Sequence, residues 1–195
     1  MTETGQKNIF LWWRDDDAGR YSAAFEHLLA LAVMLDLPLC LAVVPAWLDE
    51  PTRKRILQTP SVRVLQHGWA HIDHADAEQK SIELGGCVET ETCLASLDRG
   101  RDDLSGAFCD RSLPVLVPPW NRIADRVLGK LPENGFAAVS TFGKDSRGYE
   151  HGLAHVNTHV DVIDWHNGRR MKPLPDLIAQ VEALVALSLI HISEP

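Results

Sequence analysis

Pro38-Leu-Cys-Leu-Ala-Val-Val44, Glu50-Pro-Thr-Arg-Lys-Arg-Ile-Leu-Gln58 and Ser61-Val-Arg-Val-Leu-Gln66 follow one another with short connections. The first is a near-continuous apolar run, and the last sets Val62 and Val64 at a period of two with Leu65 in support, so both read as buried strands. The polar segment between them reads as a short helix. Working outward, Ile9–Trp13 reads as a strand and Ser22–Leu35 as a helix. Downstream, Glu89–Ala107 reads as a helix, Leu113–Val117 as a strand and Arg122–Leu131 as a helix. Gly135–Val139 and His155–Ile163 read as strands, and Pro175–Leu187 as the last helix. Strands alternating with helices imply an α/β fold with a mostly parallel sheet and helices outside it, about six or seven strands forming an open sheet or an incomplete barrel. No repeat or linker divides the chain, so residues 1–187 read as one domain and residues 188–195 as a tail.

The 195 residues carry 19 Lys+Arg against 27 Asp+Glu, a net charge of −8. No basic cluster offers a surface to nucleic acid or to an anionic membrane, and neither partner is expected. A chain this long buries roughly 70% of its unfolded surface, enough for a core without staples. Cys40, Cys87, Cys93 and Cys109 form no C-x-x-C pair, and Cys40 inside its apolar run reads as a buried thiol. No basic segment followed by a long apolar one opens the chain, and no run approaches the ~18 apolar residues of a membrane span. The expectation is a reduced, cytoplasmic protein.

Strand ends carry the chemistry in parallel α/β folds. Here the apolar strands run into Arg14-Asp-Asp-Asp17, Pro45-Ala-Trp47, His67-Gly-Trp-Ala-His71, Pro118-Pro-Trp-Asn121 and Asp164-Trp165. The long loops are Trp69–Gly86 and Thr141–Ala154, and long loops in compact domains are often functional.

Asp15, Asp16 and Asp17 repel one another unless a cation, a proton or Arg14 offsets the charge. Taken alone, such a run reads first as a solvated turn or as a cap before Ser22. His67 and His71 are four apart, so on one helical turn both imidazoles point the same way. They are an ordinary pair among nine histidines, or two ligands of a metal that needs at least one carboxylate more. Asp16 and Asp17 at a neighbouring strand end supply that carboxylate and leave a second one free, which completes a water-activating hydrolase site. His74 reads as a neighbour of that site or as surface. Pro118-Pro119 ends a strand rigidly and can aim the Trp120 backbone N–H at a developing oxyanion. Trp165 reads equally as a sugar-pocket wall or as core. His155, Asn157, His159 and Asp161 alternate along one strand, as a polar sheet face does. Neither a G-x-S-x-G elbow nor a phosphate-binding glycine loop occurs.

In order, these segments resemble the NodB-homology polysaccharide deacetylases, carbohydrate esterases that carry a Thr/Arg-x-Asp-Asp segment, His-x-x-x-His, an Arg-x-Pro-Tyr-like turn, Asp-Trp and a C-terminal Leu-x-His. Arg14-Asp15-Asp16-Asp17 matches the first, His67-Gly-Trp-Ala-His71 the second, and Asp161-Val-Ile-Asp164-Trp165 the fourth. Pro118-Pro119-Trp120 matches the turn without its arginine, whose place Val117 takes. The resemblance runs from about residue 9 to 165 and implies a distorted, incomplete (β/α) barrel of NodB-homology type. It implies metal-dependent removal of N-acetyl groups from a glycan or amino sugar, with Asp17, His67 and His71 holding a divalent metal, most plausibly Zn2+. By the same resemblance Asp16 is the general base, Trp120 the oxyanion donor, and Asp164 the residue that orients a C-terminal histidine acid. Arg14 stands in for the turn arginine. Leu189-Ile-His191 fits Leu-x-His by letter, although helix Pro175–Leu187 runs almost directly into it. The tail resembles read-through past a shortened gene. The alternative to an enzyme is a catalytically weak or inactive sugar- or metal-binding relative.

Overall fold

Leu39, Leu41 and Val43 alternate with Cys40 and Ala42 along β2 (Leu39–Val43), and the two sets enter different apolar layers. The same period of two sorts β3 (Val62–His67), where Val62 and Val64 face one layer and Leu65 the other. The computed structural model describes residues 12–143, 149–150, 152–165 and 167–191. Two compact units divide it, one of residues 12–157 and one whose described part begins at residue 158.

The first unit is built on a sheet. β1 (Arg14–Ala18), β2, β3, β4 (Ser112–Val117), β5 (Ala138–Val139) and β7 (Leu153–His155) are parallel in that order, and β6 (Tyr149–Glu150) joins β7 antiparallel. Among the described residues the order runs from β1 at one edge to β6 at the other, a distorted and incomplete barrel of the expected α/β class. Helices α1 (Ala23–Met34), α2 (Glu50–Leu57), α3 (Thr90–Phe108) and α4 (Asp125–Leu128) connect the parallel strands.

Capping sets where α1 and α2 begin. The Ser22 side chain accepts from Phe25 N at 3.1 Å at the start of α1, and Asp49 accepts from Thr52 N at 2.8 Å at the start of α2. Phe25, Leu29 and Ala32 recur at helical spacing on the buried face of α1. Cys93, Leu97, Leu104 and Phe108 do the same on α3, and truncating a buried leucine such as Leu104 costs about 2–5 kcal/mol. The helix-side core beneath α1 joins Leu29, Leu41, Val43, Ile56 and Val64, while Ala42, Leu65 and Val117 pack on the opposite sheet face.

Several boundaries differ from expectation. Of the expected strand Ile9–Trp13, residues 9–11 lie outside the described ones, and the observed strand is Arg14–Ala18, so the acids lie on the strand rather than after it. The helix expected over Arg122–Leu131 contracts to α4. Only Ala138–Val139 of Gly135–Val139 is strand, because Phe136 N turns back to Leu131 O at 3.0 Å. The expected strand His155–Ile163 is broken: Asn157 Oδ1 accepts from Thr141 N and Oγ1 at 2.9 Å and ends the ladder.

In the second unit β8 (Ile163–Asp164) pairs antiparallel with β9 (Arg170–Met171), and α5 runs from Leu174 to His191. His191 therefore ends a continuous helix rather than a strand. Residues 192–195 lie outside the described ones.

Candidate metal centre

A bulge in β1 sets up the site. Arg14 and Asp15 pair with Cys40 and Leu41, but Ala18 pairs with Val43, so β1 carries one residue more than β2 over this stretch. The extra residue is accommodated with Asp17 at φ 64°, a left-handed conformation that aspartate tolerates better than most side chains. A bulge re-aims a side chain. Asp17 is thereby turned, exposed, to the C-terminal edge of the sheet, where His67 ends β3 opposite Val117 at the end of β4.

Three ligand atoms converge there. Asp17 Oδ1 lies 3.1 Å from His67 Nε2 and 3.1 Å from His71 Nε2. One oxygen and two nitrogens all fall within 4.8 Å of one another, and they are the group among the described residues that could hold a metal. Four-coordinate zinc with bonds of about 2 Å places its ligand atoms roughly 3.3 Å apart, close to this spacing. His67 is buried, and its Nδ1 lies 2.8 Å from the Val117 carbonyl. A proton on Nδ1 satisfies that carbonyl and leaves the Nε2 lone pair facing the Asp17 carboxylate. Two acceptors at 3.1 Å repel unless a cation or an added proton sits between them. A divalent ion fits. When the His67 ring donates from Nε2 instead, that hydrogen bond holds the Asp17 carboxyl below its ordinary value against the cost of burial.

The i, i+4 spacing has a different basis from the one expected. Residues 68–72 are not helical: Gly68 and His71 both have φ 57°. The turn is held instead by a residue that the sequence reading passed over. Glu83, 4% exposed, accepts the backbone N–H groups of Ala70 at 2.7 Å, His71 at 3.0 Å and Trp69 at 3.2 Å on one oxygen. Its only sequence signal is an acid placed inside the long loop Trp69–Gly86. His74, read as a neighbour of the site, sets its Nδ1 2.9 Å from the Glu83 backbone carbonyl.

Asp16 stays apart from the ligand cluster. Arg14, whose side chain is almost wholly buried, sets Nε 2.8 Å from Asp16 Oδ1 and donates from NH2 to Oδ2 at 2.9 Å. The Nε contact is an ion pair too poorly aligned for a hydrogen bond, so Oδ1, itself buried, accepts none. Arg14 also donates to Ser140 Oγ at 2.6 Å and to Asn121 Oδ1 at 3.4 Å. An arginine from β1 thus grips Asp16. Asp15 shares the helix-side sheet face of its register partner Leu41, and burial, with the charges of Asp16 and Asp17 added, raises its carboxyl from 3.8 to about 6.

Aromatic rings wall the site. The His71 ring lies 4.3 Å from that of Trp120 and 5.5 Å from that of Trp47, centroid to centroid. Trp120 and Asn121 are both left-handed, at φ 54° and 57°, on the turn that the two prolines stiffen. Asp16, Asp17, His67, His71 and Trp120 thus meet at one end of the first unit.

Asp164 and His191 belong to the second unit. Asp164 Oδ2 accepts from Asn167 Nδ2 at 2.8 Å, and Trp165 is 58% exposed, which removes it from any core. Asp161 Oδ2 accepts the Trp165 indole N–H at 2.6 Å.

At the level of sequence, the chain matches no family profile and no curated protein. Its fold is that of solved carbohydrate deacetylases. A family 4 carbohydrate esterase from Streptomyces lividans superposes with a TM-score of 0.54 at 13% identity, over 70% of this chain and 64% of that one. A de-N-acetylase from Aggregatibacter actinomycetemcomitans gives 0.58 at 13% identity, over 75% and 68%. A family 4 pseudoenzyme from Bacillus anthracis gives 0.54 at 15% identity, over 88% and 50%. The chain spans about half to two thirds of the length of these structures. The resemblance read from the motifs and the architecture of the sheet agree.

Proposed function

We propose that this chain is a metal-dependent hydrolase that removes N-acetyl groups from a glycan or amino sugar. The observation that carries the reading is the Asp17 oxygen set 3.1 Å from both imidazole nitrogens, with Asp16 gripped separately beside it. Asp17, His67 and His71 would hold the ion, for which zinc suits two imidazoles and one carboxylate. When bound, such an ion polarises a carbonyl and acidifies water.

The chain's own residues do the rest. Asp16 takes the proton from the attacking water, and its side chain, 32% exposed, has access to do so. Arg14 fixes the direction of that carboxylate from two nitrogens. The Trp120 backbone N–H donates to the carbonyl oxygen as negative charge develops on it. Trp47 and Trp120 keep bulk water from the His71 side. Amide cleavage also needs a proton on the departing nitrogen, a role this proposal gives to His191. A reducing, cytoplasmic setting belongs to the same reading, with all four cysteines unpaired. No helix among the described residues is long and apolar enough to cross a membrane.

The second reading is a sugar- or metal-binding relative with weak or no turnover, favoured by the Bacillus anthracis pseudoenzyme of like fold. Acetate release from a panel of N-acetylated sugars, with and without added zinc, decides between them. Zinc-dependent release supports the hydrolase. Zinc and sugar binding without acetate supports the binder.

A further inference from the structure

We infer that Glu83 is the positioning residue of the metal centre, the group whose carboxylate shapes the turn that delivers His71 to Asp17. The inference rests on the metal-site reading above and adds to it a residue outside the ligand set.

Three successive backbone N–H groups, of Trp69, Ala70 and His71, converge on Glu83 Oε1 at 3.2, 2.7 and 3.0 Å, and Oε2 takes a second contact from Trp69 N at 3.3 Å. Converging N–H groups form a concavity that selects an anion. A buried carboxylate without them would lack compensation, and the N–H groups without it would be orphaned. The consequence falls on His71. Its backbone is left-handed at φ 57°, a conformation that surrounding contacts have to impose on a side-chain-bearing residue, and the N–H that fixes its peptide plane is one of the three held. Its Nε2 lies 3.1 Å from Asp17 Oδ1, so a relaxed turn would carry one ligand out of reach.

Glu83 is itself braced on both sides. His74 N donates to Ile82 O at 2.8 Å, His74 Nδ1 meets Glu83 O at 2.9 Å, and Asp73 Oδ1 accepts from Ile82 N at 3.0 Å. On the other side Leu84 forms a bridge with Ile123, and Ala124 N donates to Leu84 O at 2.9 Å. Ile123 lies three residues beyond Trp120, so one short segment braces both the His71 turn and the chain that leaves the Trp120 turn.

The test is zinc affinity of the full chain by calorimetry, with the visible spectrum of bound Co2+ as a report on ligand geometry. Glu83→Ala and Glu83→Gln are compared with Leu104→Ala, a core variant on α3 whose loss of stability has no route to the ligands. Both Glu83 variants are expected to bind zinc about 10–100-fold more weakly, the loss typical of a group that holds a ligand in place, and to alter the Co2+ spectrum. Leu104→Ala, measured where it is folded, should match the wild type in both. Glu83→Gln keeps the size and one acceptor oxygen, so it carries the test if Glu83→Ala does not fold. Zinc affinity of the folded Glu83 variants within about twofold of wild type, or an equal loss in Leu104→Ala, overturns the inference while the metal site stands. A His67→Ala/His71→Ala chain that binds zinc like the wild type overturns the metal reading, and this inference with it.

Discussion

Arg14 is buried to a degree that a cation reaches only when its charge is matched, and Asp16 matches it from two residues away on the same strand. NH2 donates to Asp16 Oδ2, Nε lies beside Oδ1 as an ion pair, and NH1 reaches Ser140 Oγ, so the guanidinium is held at several points at once. Lysine, with one ammonium on a flexible stem, cannot reproduce that grip. Arg14→Lys is therefore expected to leave zinc affinity near the wild-type value while lowering turnover about 10–100-fold, the loss typical of removing an orienting partner. Parallel zinc titration and acetate-release assays check it. A proportional fall in both would place Arg14 in the metal centre instead. Taken alone, Arg-Asp-Asp-Asp reads as a solvated run; the family resemblance implied different roles for Asp16 and Asp17, and the bulge in β1 is the physical feature that aims the two apart.

At the scale of elements, the turn after β3 carries the most constraint. Gly68 has φ 57°, and a Cβ there would strike the Glu83 carboxylate and the Pro119 ring. Gly68→Ala is expected to cost about 1–3 kcal/mol, a strained backbone and a displaced buried carboxylate acting together. It should also weaken zinc binding, since the same carboxylate holds His71. Chemical denaturation and zinc titration of the one variant test both. A stability loss with unchanged zinc affinity would separate the turn from the site.

Elements with strong local signals were legible in the sequence. The apolar run of β2, the period of two at Val62 and Val64 on β3 and the helix read over Glu89–Ala107 all rest on patterns within a few residues. The failures share a cause. The bulge in β1, the non-helical turn from His67 to His71 and the break after His155 depend on Asp17, Glu83 and Asn157 meeting partners distant in sequence. The i, i+4 spacing pointed to two imidazoles that do converge on Asp17, but on a turn that is not helical.

At the scale of the whole molecule, the acidic cluster sets how stability depends on pH. Asp15 titrates at about 6 in the fold against 3.8 ordinarily, chiefly through burial. A raised carboxyl binds its proton more tightly folded than unfolded, so its contribution is present below 3.8 and is lost as pH rises through about 6. The difference is worth at most about 3 kcal/mol. Metal-free protein is therefore expected to lose stability between about pH 4 and pH 6.5 through this group, and Asp15→Asn to remove that part of the loss. Thermal melts of both proteins across that range test it, the prediction being a variant more stable than wild type at pH 7 and not at pH 4. Parallel curves for the two proteins would contradict it. The Asp17 carboxyl, held below its ordinary value, works in the opposite sense and only toward more acidic pH.

In the proposed reaction adjacent aspartates divide the work, Asp17 binding the ion and Asp16 handling the proton. Calorimetric titration of metal-free protein with zinc, run side by side on wild type, Asp16→Asn and Asp17→Asn, tests it most directly. One zinc per chain is expected in the wild type and in Asp16→Asn, with similar affinity. Asp17→Asn is expected to lose more than about 100-fold, beyond what removal of an outer partner costs. Equal zinc affinity in the two variants would contradict it.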